Sequence, residues 1–368
     1  MDTQIKCDEC GADLSFKPGT KNLSCNYCDH TMEFTEPHSA NQAHEELDLE
    51  YYIDHFDESS QHIERHLVNC QGCGAETELE ANQQSASCPF CDTPLIVQQA
   101  QTKQVIKPKG ILPFKITKKE ARNNFKSWLS KLWFAPNDLK KQITQHDKFK
   151  GIYLPFWTYD CNTNTNYSGK RGDYYYESVS STDNDGNTTS KQERRTRWSR
   201  VNGRVYNSFD DILVPATTSL NKEKLKALEP WNLKKLVDYK DEYLSGYQAE
   251  TYQIDLKTGY SSAKTTMDSR IRREVERDIG GDKQRIDSVN THYQDATFKH
   301  ILLPAWVSAY RYKDKLYQII VNAQTGEVQA MRPLSWIKIT LAITAIITIA
   351  AALTYYFVFT ADSSGIEQ

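Results

Sequence analysis

The chain has 368 residues and a formal net charge of -3 at pH 7, and this near-neutral value hides a strong asymmetry. Residues 1–100 contain 4 Lys+Arg against 19 Asp+Glu, whereas the remaining residues contain 41 against 29. A phosphate backbone repels a module as acidic as the first hundred residues. The charge therefore argues against nucleic acid as the partner of this module and favours a protein or peptide.

Two pairs of cysteines occupy residues 7–28, and the same arrangement returns 63 positions later at residues 70–91. Each CxxC pair forms a tight knuckle that directs two sulfurs at one ion, and Gly11 and Gly74 supply the turn freedom that such a knuckle needs. We therefore predict two tetrahedral zinc sites. Their ligands are Cys7, Cys10, Cys25 and Cys28 in the first site and Cys70, Cys73, Cys88 and Cys91 in the second.

Two other uses of these cysteines stay open. Disulfides require an oxidising compartment, and the opening MDTQIKCDEC lacks the apolar core of a signal peptide. Iron in a rubredoxin-like site is the other alternative, for which the spacer is short. Four thiolates leave no open position for water, so we expect both zinc ions to be structural and to fold ribbons too short for a core of their own.

Histidines near the ribbons are expected to be ordinary surface residues, because each predicted site already has four ligands. They are His30, His38, His44, His55, His62 and His66. The segment HEELD at residues 44–48 lacks the second histidine of a metalloprotease helix. Between the ribbons, residues 43–67 are strongly acidic with irregularly spaced apolar residues, which favours a partly helical linker over a disordered one.

The middle of the chain repeats an apolar run that meets a proline. It appears as ILPF, YLPFW, ILVPA and ILLPAW at residues 111–114, 153–157, 212–216 and 301–306. We predict two related units, near residues 105–205 and 206–330, each with an edge strand, a helix and a later aromatic strand. Proline is expected to confine these strands to sheet edges or strand ends.

Helical patterns follow two of these runs, at Thr117 to Trp133 and within residues 219–236. Thr117 and Glu120 form a capping box at the start of the first helix. Residues 101–150 carry 13 basic against 3 acidic side chains. This basic helix can lie on an anionic bilayer or contact nucleic acid, but packing of its apolar face on the domain's own sheet is favoured.

A long hairpin is predicted over residues 174–198, with its turn near DNDG. Residues 191–204 are strongly basic, which suggests phosphate recognition, although pairing with Asp173 and Glu177 accounts for part of the charge. Residues 310–328 are expected to form two strands around a Lys-Asp turn.

Enzyme motifs are not found. KTGYSSAKTT at residues 257–266 departs from a phosphate-binding loop in the spacing of Gly259 and Lys264. Residues 279–287 are expected to contain a helix end with a glycine turn, and Cys161 has no base beside it in sequence. We therefore expect a protein that is not an enzyme.

The stretch ITLAITAIITIAAALTYYFVF at residues 339–359 has the length of a bilayer core and no charge. Trp336, Tyr355 and Tyr356 suit the interfacial belts, whereas Arg332 and Lys338 place the preceding chain in the cytoplasm. We predict a single-pass protein of the cytoplasmic (inner) membrane, with the N-terminus and main body cytoplasmic. Thr340, Thr344 and Thr348 are expected to bond back to helix carbonyls, with helix association as the alternative.

Several motifs together resemble a bacterial family of membrane-anchored zinc-ribbon proteins. They are the two sets of CxxC knuckles, LPFW, SGKRGDYYY, FDDILVPA, DIGGDKQRI, HILLPAW, VNAQTGEV and the terminal anchor. Automated naming often calls such proteins primosomal protein N′ (replication factor Y), superfamily II helicase, because their ribbons are similar to those of that helicase and of the general transcription-factor type. This chain lacks a nucleotide-binding loop, so the resemblance implies only the eight cysteines as zinc ligands and no activity.

The sequence as a whole predicts an α+β protein with two small four-cysteine zinc ribbons, an α+β body of two related units and one C-terminal transmembrane helix. The predicted divisions are ribbon 1 (1–36), an acidic linker (37–65), ribbon 2 (66–100), the body (101–335), the transmembrane helix (336–360) and a short tail (361–368).

The expected function is that of a non-enzymatic adaptor, which presents its acidic zinc-binding module to protein partners at the membrane. A nucleic-acid-binding accessory role through the basic middle domain is the alternative. Opposite charges also predict that the acidic segment docks on residues 101–150, in a contact that high salt weakens.

Overall fold

The computed structural model describes residues 5–34, 42–55, 62–78, 86–96, 100–133, 136, 148–182, 188–312, 315–331 and 335–363. The helices are α1 (Leu49–Asp54), α2 (Lys118–Ser130), α3 (Lys222–Lys226), α4 (Leu256–Ile279) and α5 (Trp336–Ser363), with 3-10 helices at Gln42–His44, Leu233–Lys235 and Asp241–Leu244. The strands are β1 (Leu14–Phe16), β2 (Asn22–Cys25), β3 (Thr31–Glu33), β4 (Leu47–Asp48), β5 (His62–Asn69), β6 (Glu76–Glu78), β7 (Ala86–Ser87), β8 (Pro94–Leu95), β9 (Gln101–Ile106), β10 (Gly110–Ile111), β11 (Lys150–Thr182), β12 (Thr188–Pro215), β13 (Val237–Asp238), β14 (Gln248–Ala249), β15 (Lys283–Tyr312), β16 (Lys315–Asn322) and β17 (Val328–Ala330).

A nine-stranded sheet forms the body, and the predicted α+β class is confirmed, with strands predominating. Three of the strands are unusually long: β11, β12 and β15 contain 33, 28 and 30 residues. They lie in the order β12-β11-β15, with antiparallel pairing, and the sheet continues through β10 and β13. The predicted hairpin is confirmed as the β11-β12 pair, and its turn at residues 183–187 lies outside the described residues.

The same contacts occur twice around the centre of this sheet. The Trp157 indole N–H donates to the carbonyl of Ile254 at 2.9 Å, and that of Trp306 donates to the carbonyl of Ile116 at 2.8 Å. Each accepting residue directly precedes the N-cap of a helix, α4 or α2. β14 pairs in parallel with β11, and β10 pairs in parallel with β15. The relatedness of two units stays a prediction, and these repeated contacts are the observations that favour it.

One of these prolines ends its strand as expected, Pro215 in β12, but two others do not. Pro155 and Pro304 are inside β11 and β15, the two central long strands, so confinement of these strands to sheet edges was wrong. The Pro155 carbonyl accepts from Ala216 N–H at 3.0 Å, and the Pro304 carbonyl accepts from Ala323 N–H at 3.1 Å. A proline has no backbone N–H to donate to a neighbouring strand. Because β12 and β16 end beside these two prolines, no carbonyl of those strands is left without a donor.

The first predicted helix is confirmed, while the second is much shorter than predicted. α2 begins after the capping box of Thr117 and Glu120 and buries its apolar face in the body, as the favoured interpretation expected. Within residues 219–236 the regular helix is only α3, because Pro230 and the residue before it disfavour helix continuation. A longer helix, α4, lies further along the chain and contains the KTGYSSAKTT stretch, for which the sequence did not predict a helix.

α4 was missed because small and polar residues obscure its period. Its buried positions are mainly four residues apart and pack on the long strands: Leu256, Gly259, Ala263, Met267, Ile271, Val275 and Ile279. A Cβ added to Gly259 would meet the Tyr159 hydroxyl and the Trp157 ring, so the glycine permits close approach of helix and sheet. The predicted helix end is confirmed, with left-handed φ angles of 65° at Gly280 and 75° at Gly281.

α5 is long and apolar enough to cross a membrane, and its candidate span is Trp336–Tyr356 with a mean hydropathy of 2.0. None of that span is buried against the described parts of the chain. Thr340, Thr344 and Thr348 donate to carbonyls one turn earlier, as predicted. Lys338 Nζ donates to the Trp133 carbonyl at 3.1 Å, so the end of the α2 segment lies beside the start of this helix.

Candidate metal centres

The four cysteines of the first ribbon converge on one point. Cys7 Sγ lies 3.6 Å from Cys28 Sγ, and Cys10 Sγ lies 3.5 Å from Cys25 Sγ. All four sulfurs lie within 4.8 Å of one another. A tetrahedral site with Zn–S bonds of about 2.3 Å requires sulfurs about 3.8 Å apart, which these positions approach closely. The group can therefore hold one metal ion.

The second ribbon has the same arrangement. Cys70 Sγ lies 3.4 Å from Cys91 Sγ, Cys73 Sγ lies 3.6 Å from Cys88 Sγ, and the four again lie within 4.8 Å of one another. The structure thus brings all eight predicted ligands into two groups of four. Neither group includes a histidine among the described residues, while His38 lies outside them.

The first knuckle of each ribbon closes through the backbone of the glycine that follows its second cysteine. Gly11 N–H donates to the Cys7 carbonyl and Gly74 N–H to the Cys70 carbonyl, both at 2.8 Å. These glycines have left-handed φ angles of 72° and 77°, as the knuckle prediction required. The second knuckles use Asp29 and Asp92 at the same place, with φ angles of 57° and 61°. Sequence analysis missed these aspartates, although the 63-residue offset relates them as it relates the glycines.

Backbone N–H groups favour the thiolate form that a metal needs. Tyr27 N–H points at Cys25 Sγ at 3.5 Å, and Gly72 N–H points at Cys70 Sγ at 3.4 Å. The Tyr27 hydrogen bond is the main cause that lowers the pKa of Cys25 to about 6. In the second group, the neighbouring Cys88 thiol lowers the pKa of Cys73. Burial, by contrast, raises the pKa of Cys70. Four converging cysteine sulfurs form a donor set that fits a soft or borderline ion such as zinc.

The two groups differ in their surroundings. In the first, Cys10 and Cys28 are exposed, whereas in the second Cys70, Cys88 and Cys91 are buried. Corresponding knuckle residues show the contrast most clearly, because Tyr27 is 85% exposed and Phe90 is 0% exposed. Phe90 and three of the second group's cysteines belong to one apolar cluster with residues of the long strands and α3.

Ribbon 1 docks on the body through backbone contacts and an apolar cluster that holds Leu14, Phe16 and Leu23 together with core residues of the body. Phe16 N–H donates to the Ser245 carbonyl at 2.9 Å, and Gly19 N–H donates to the Phe114 carbonyl at 2.8 Å. The Phe16 ring meets the Tyr243 ring edge-on at 5.2 Å. Cys7 and Cys25 belong to the same cluster, whereas Cys10 and Cys28 face solvent, so one side of this sulfur group is attached to the body.

Ribbon 2 is fastened next to its sulfurs by lysines of the body. Lys150 Nζ donates to the carbonyls of Ser87 at 3.0 Å and Cys88 at 3.4 Å, and lies 3.5 Å from Asp92 Oδ1. Lys148 Nζ lies 2.6 Å from Asp92 Oδ2. A tetrathiolate site with a divalent ion carries two net negative charges, which these ammonium groups help to balance. Sequence analysis missed both lysines, because nothing in the spacing brings residue 150 to residue 88.

Other acidic residues of the first hundred also contact residues 101–150. Glu76 lies 2.5 Å from Lys103 Nζ, and Glu45 lies 3.1 Å from Lys109 Nζ. The predicted docking thus has ion pairs, but it also has the buried apolar cluster around Phe90, which salt does not screen. We therefore no longer expect high salt alone to release the segment.

A third group of possible ligands consists of Glu46, Asp160 and Asp210. The buried Lys299 supplies positive charge here, since its Nζ lies 3.2 Å from Glu46 Oε1 and 3.0 Å from Asp211 Oδ1. Burial, assisted by the hydrogen bond with Glu46, raises the pKa of Asp160 to about 7. Because Lys299 pairs with Glu46 of the linker and with Asp211 of β12, we assign this cluster to the attachment of the linker.

Comparison with known proteins adds one distant relative. The chain is 25% identical over 351 residues to the uncharacterized protein YdjG of Bacillus subtilis (strain 168), with 91% of each chain covered. No protein-family model matches the chain. No solved structure matches it either.

Proposed function

We propose that the protein is a non-enzymatic adaptor with two structural zinc ions, anchored in the cytoplasmic membrane and directed at protein partners. The observation that carries the proposal is the pair of closed four-thiolate groups built into the fold. With four sulfurs around each ion no position is left for water or substrate, so the metal has a structural role. Zinc would supply folding free energy to ribbons with too little apolar surface of their own.

The membrane anchor is α5, and the remaining chain lies on its cytoplasmic side in this proposal. A reducing compartment keeps the eight ligand cysteines as thiolates, which agrees with that orientation. Trp133 and Trp336 are both largely exposed, and the Lys338 contact places their segments side by side. Tryptophans at such a position suit the headgroup region of a bilayer.

The partner surface that we propose is the acidic rim of ribbon 1. Asp8, Glu9 and Asp29 are exposed in its knuckles, and Tyr27, two residues before Asp29, is exposed as well. By contrast, Glu45, Glu76 and Asp92 already pair with lysines of the body. An exposed aromatic ring within an acidic patch suits a basic protein segment, because tyrosine is enriched among residues that dominate binding energy.

Cys161 does not suggest an enzymatic role. It is buried in β11, and burial raises the pKa of its thiol. A thiol that stays protonated is a poor nucleophile.

Site-specific crosslinking in membranes tests the adaptor proposal. A photoreactive phenylalanine analogue at position 27 should capture a protein partner, whereas the same analogue at position 51, also an exposed tyrosine, should not. Replacing Asp8→Lys and Glu9→Lys should remove the position 27 product, since it reverses the charge that attracts the partner. Equal products at positions 27 and 51, or an unchanged product after the charge reversal, would contradict the proposal.

A further inference from the structure

The outer half of the long three-stranded sheet has one covered face and one open face. Along β11, residues Cys161, Thr163, Thr165, Tyr167 and Gly169 are buried, and α4 packs against this face. Alternate residues point to the other side of a strand. On β11 the residues of this other side run from Asn162 to Tyr176, a length of about 50 Å at about 3.3 Å per residue. Together with their register partners on β12 and β15 they form a surface that we call the open face. Apart from Gly172, they are exposed or half-exposed.

The open face is basic. The register of β11 with β12 and β15 places six cationic side chains on it: Lys170, Arg194, Arg200, Arg204, Lys283 and Arg285. Two carboxylates lie beside these residues in the described part of the chain: Asp287 Oδ1 is 3.9 Å from Arg285 Nε, and Asp282 Oδ2 accepts a hydrogen bond from the Tyr174 backbone N–H at 2.7 Å. The remaining positive charge is therefore available to an anionic ligand.

The other face of the same hairpin is different, although its composition is similar. There Arg195 lies 2.7 Å from Glu177, and Arg171 lies 3.0 Å from Asp173. The Arg195–Glu177 pair confirms the predicted cross-strand pairing, whereas Asp173 pairs with Arg171 of its own strand and not with the basic segment. Because the two faces alternate along one strand, the unbalanced charge is a property of the open face and not of the segment as a whole.

Aromatic rings lie among these cations. Trp198 packs over Gly172, where an added Cβ would come within 3.0 Å of its Cζ3 atom, and yet the side chain remains 45% exposed. The glycine thus lets one surface of the indole rest on the sheet. Tyr206 and Tyr176 are 67% and 64% exposed on the same face. Planar rings held in this way provide stacking platforms for nucleobases.

Polar side chains complete the face and hold its cations in place. Arg204 Nε donates to Asn166 Oδ1 at 2.8 Å, and its terminal nitrogen lies 3.3 Å from the Tyr206 hydroxyl. The inner part carries amides, hydroxyls and an imidazole: Asn162, Asn164, Ser168, Asn202, Ser288, Asn290, His292 and Gln294. No aliphatic side chain occurs among these described positions, so the face lacks the apolar centre of a typical protein interface.

We propose that the open face binds single-stranded nucleic acid. Six cations would contact the phosphates, Trp198 and the exposed tyrosines would stack on bases, and the amides would hydrogen bond to sugars and base edges. This surface is distinct from ribbon 1, whose acidic charge repels phosphate. The inference therefore does not depend on the partner proposed for ribbon 1.

The test uses the full-length protein in nanodiscs of zwitterionic lipid and a fluorescein-labelled single-stranded RNA of about 20 nucleotides with mixed sequence. Anisotropy should report binding with a dissociation constant of roughly 1–100 µM, weakening as salt rises from about 50 to about 200 mM. Arg194→Ser with Arg200→Ser should weaken binding at least about tenfold, and Trp198→Ala by a similar factor.

The matched control is Lys191→Ser with Arg197→Ser, which removes the same charge from the opposite face of the same strand. It should change binding less than about twofold. Equal weakening by the two pairs would overturn the proposal, as would no binding at about 100 µM protein. Two competitors are added at the same total charge as the RNA: phosphatidylglycerol vesicles and polyglutamate. Displacement of the RNA by the vesicles would assign the face to lipid, and displacement by polyglutamate would assign it to an acidic protein segment. Either result would overturn the proposal.

Discussion

Ribbon 1 and ribbon 2 share their ligand spacing and knuckle geometry, but they differ in what surrounds the sulfurs. Ribbon 1 buries Cys7 and Cys25 in an apolar cluster that it shares with the body, but it keeps Cys10, Cys28 and Tyr27 in solvent. Ribbon 2 buries Phe90 and most of its sulfurs in the cluster that also holds residues of the long strands. The two sulfur groups therefore differ in burial, with two cysteines exposed in the first and none in the second, and we expect this difference to set how strongly each is coupled to the body.

We expect the same four-cysteine group to serve a different purpose in each ribbon. In ribbon 2 the metal would complete the core of the body, while in ribbon 1 it would shape a surface module. A site inside the core can be lost only together with core packing, whereas a site at the rim can open by itself. The following predictions test that distinction.

The largest difference is expected from removal of one knuckle in each ribbon. Cys70→Ser with Cys73→Ser should lose one zinc ion and destabilise the whole body, because structural zinc contributes roughly 10 kcal/mol or more to folding. Cys7→Ser with Cys10→Ser should also lose one zinc ion but leave the cooperative unfolding of the body nearly intact. Zinc analysis and limited proteolysis of both variants give the comparison. Two zinc ions retained in either variant would refute the ligand assignment.

A smaller effect is expected at the paired knuckle positions. Phe90→Ala should lower the free energy of unfolding by about 3–5 kcal/mol, since it empties a fully buried site. Tyr27→Ala should change it by less than about 0.5 kcal/mol, because the ring is exposed. Chemical denaturation of the two variants measures the difference. Equal losses would mean that the ribbons are embedded alike.

The smallest effect concerns the linker between the ribbons. Asp160 holds its proton in the folded protein up to about pH 7, whereas an ordinary aspartate in the unfolded chain loses it near pH 4. Stability from this group is therefore highest in acid and declines as pH rises through that range. Asp160→Asn should flatten the decline and raise the melting temperature more at pH 8 than at pH 5. An identical pH profile in the variant would show that Asp160 does not cause the decline in stability.

Local spacing allowed the sequence to predict the eight cysteines, the capping box at Thr117 and the hairpin, because each depends on neighbours along one segment. Long-range packing was not predictable in this way. The period of α4 is obscured by Gly259 and Ala263, whose small size matters only against the sheet. Likewise, Pro155 becomes acceptable in a central strand only because β12 ends beside it.

The attachment of the ribbons was predicted only in part. Charge counting showed that the first hundred residues are acidic, and it suggested a salt-sensitive arm. It could not show that Phe90 would enter the core while Tyr27, its equivalent 63 residues earlier, would stay in solvent. That difference arises from the partners which the body offers, Lys150 and the cluster beside it, and these lie far away in sequence.

Stepwise removal of metal from the full-length protein in detergent tests the central claim most directly. A chelator is added while zinc release and protease resistance of the body are followed together. The account predicts two zinc ions per chain: the first leaves from ribbon 1 while the body stays resistant, and the second leaves only as the body unfolds. Release of both ions in one step with unfolding, or release of both while the body stays folded, would contradict it.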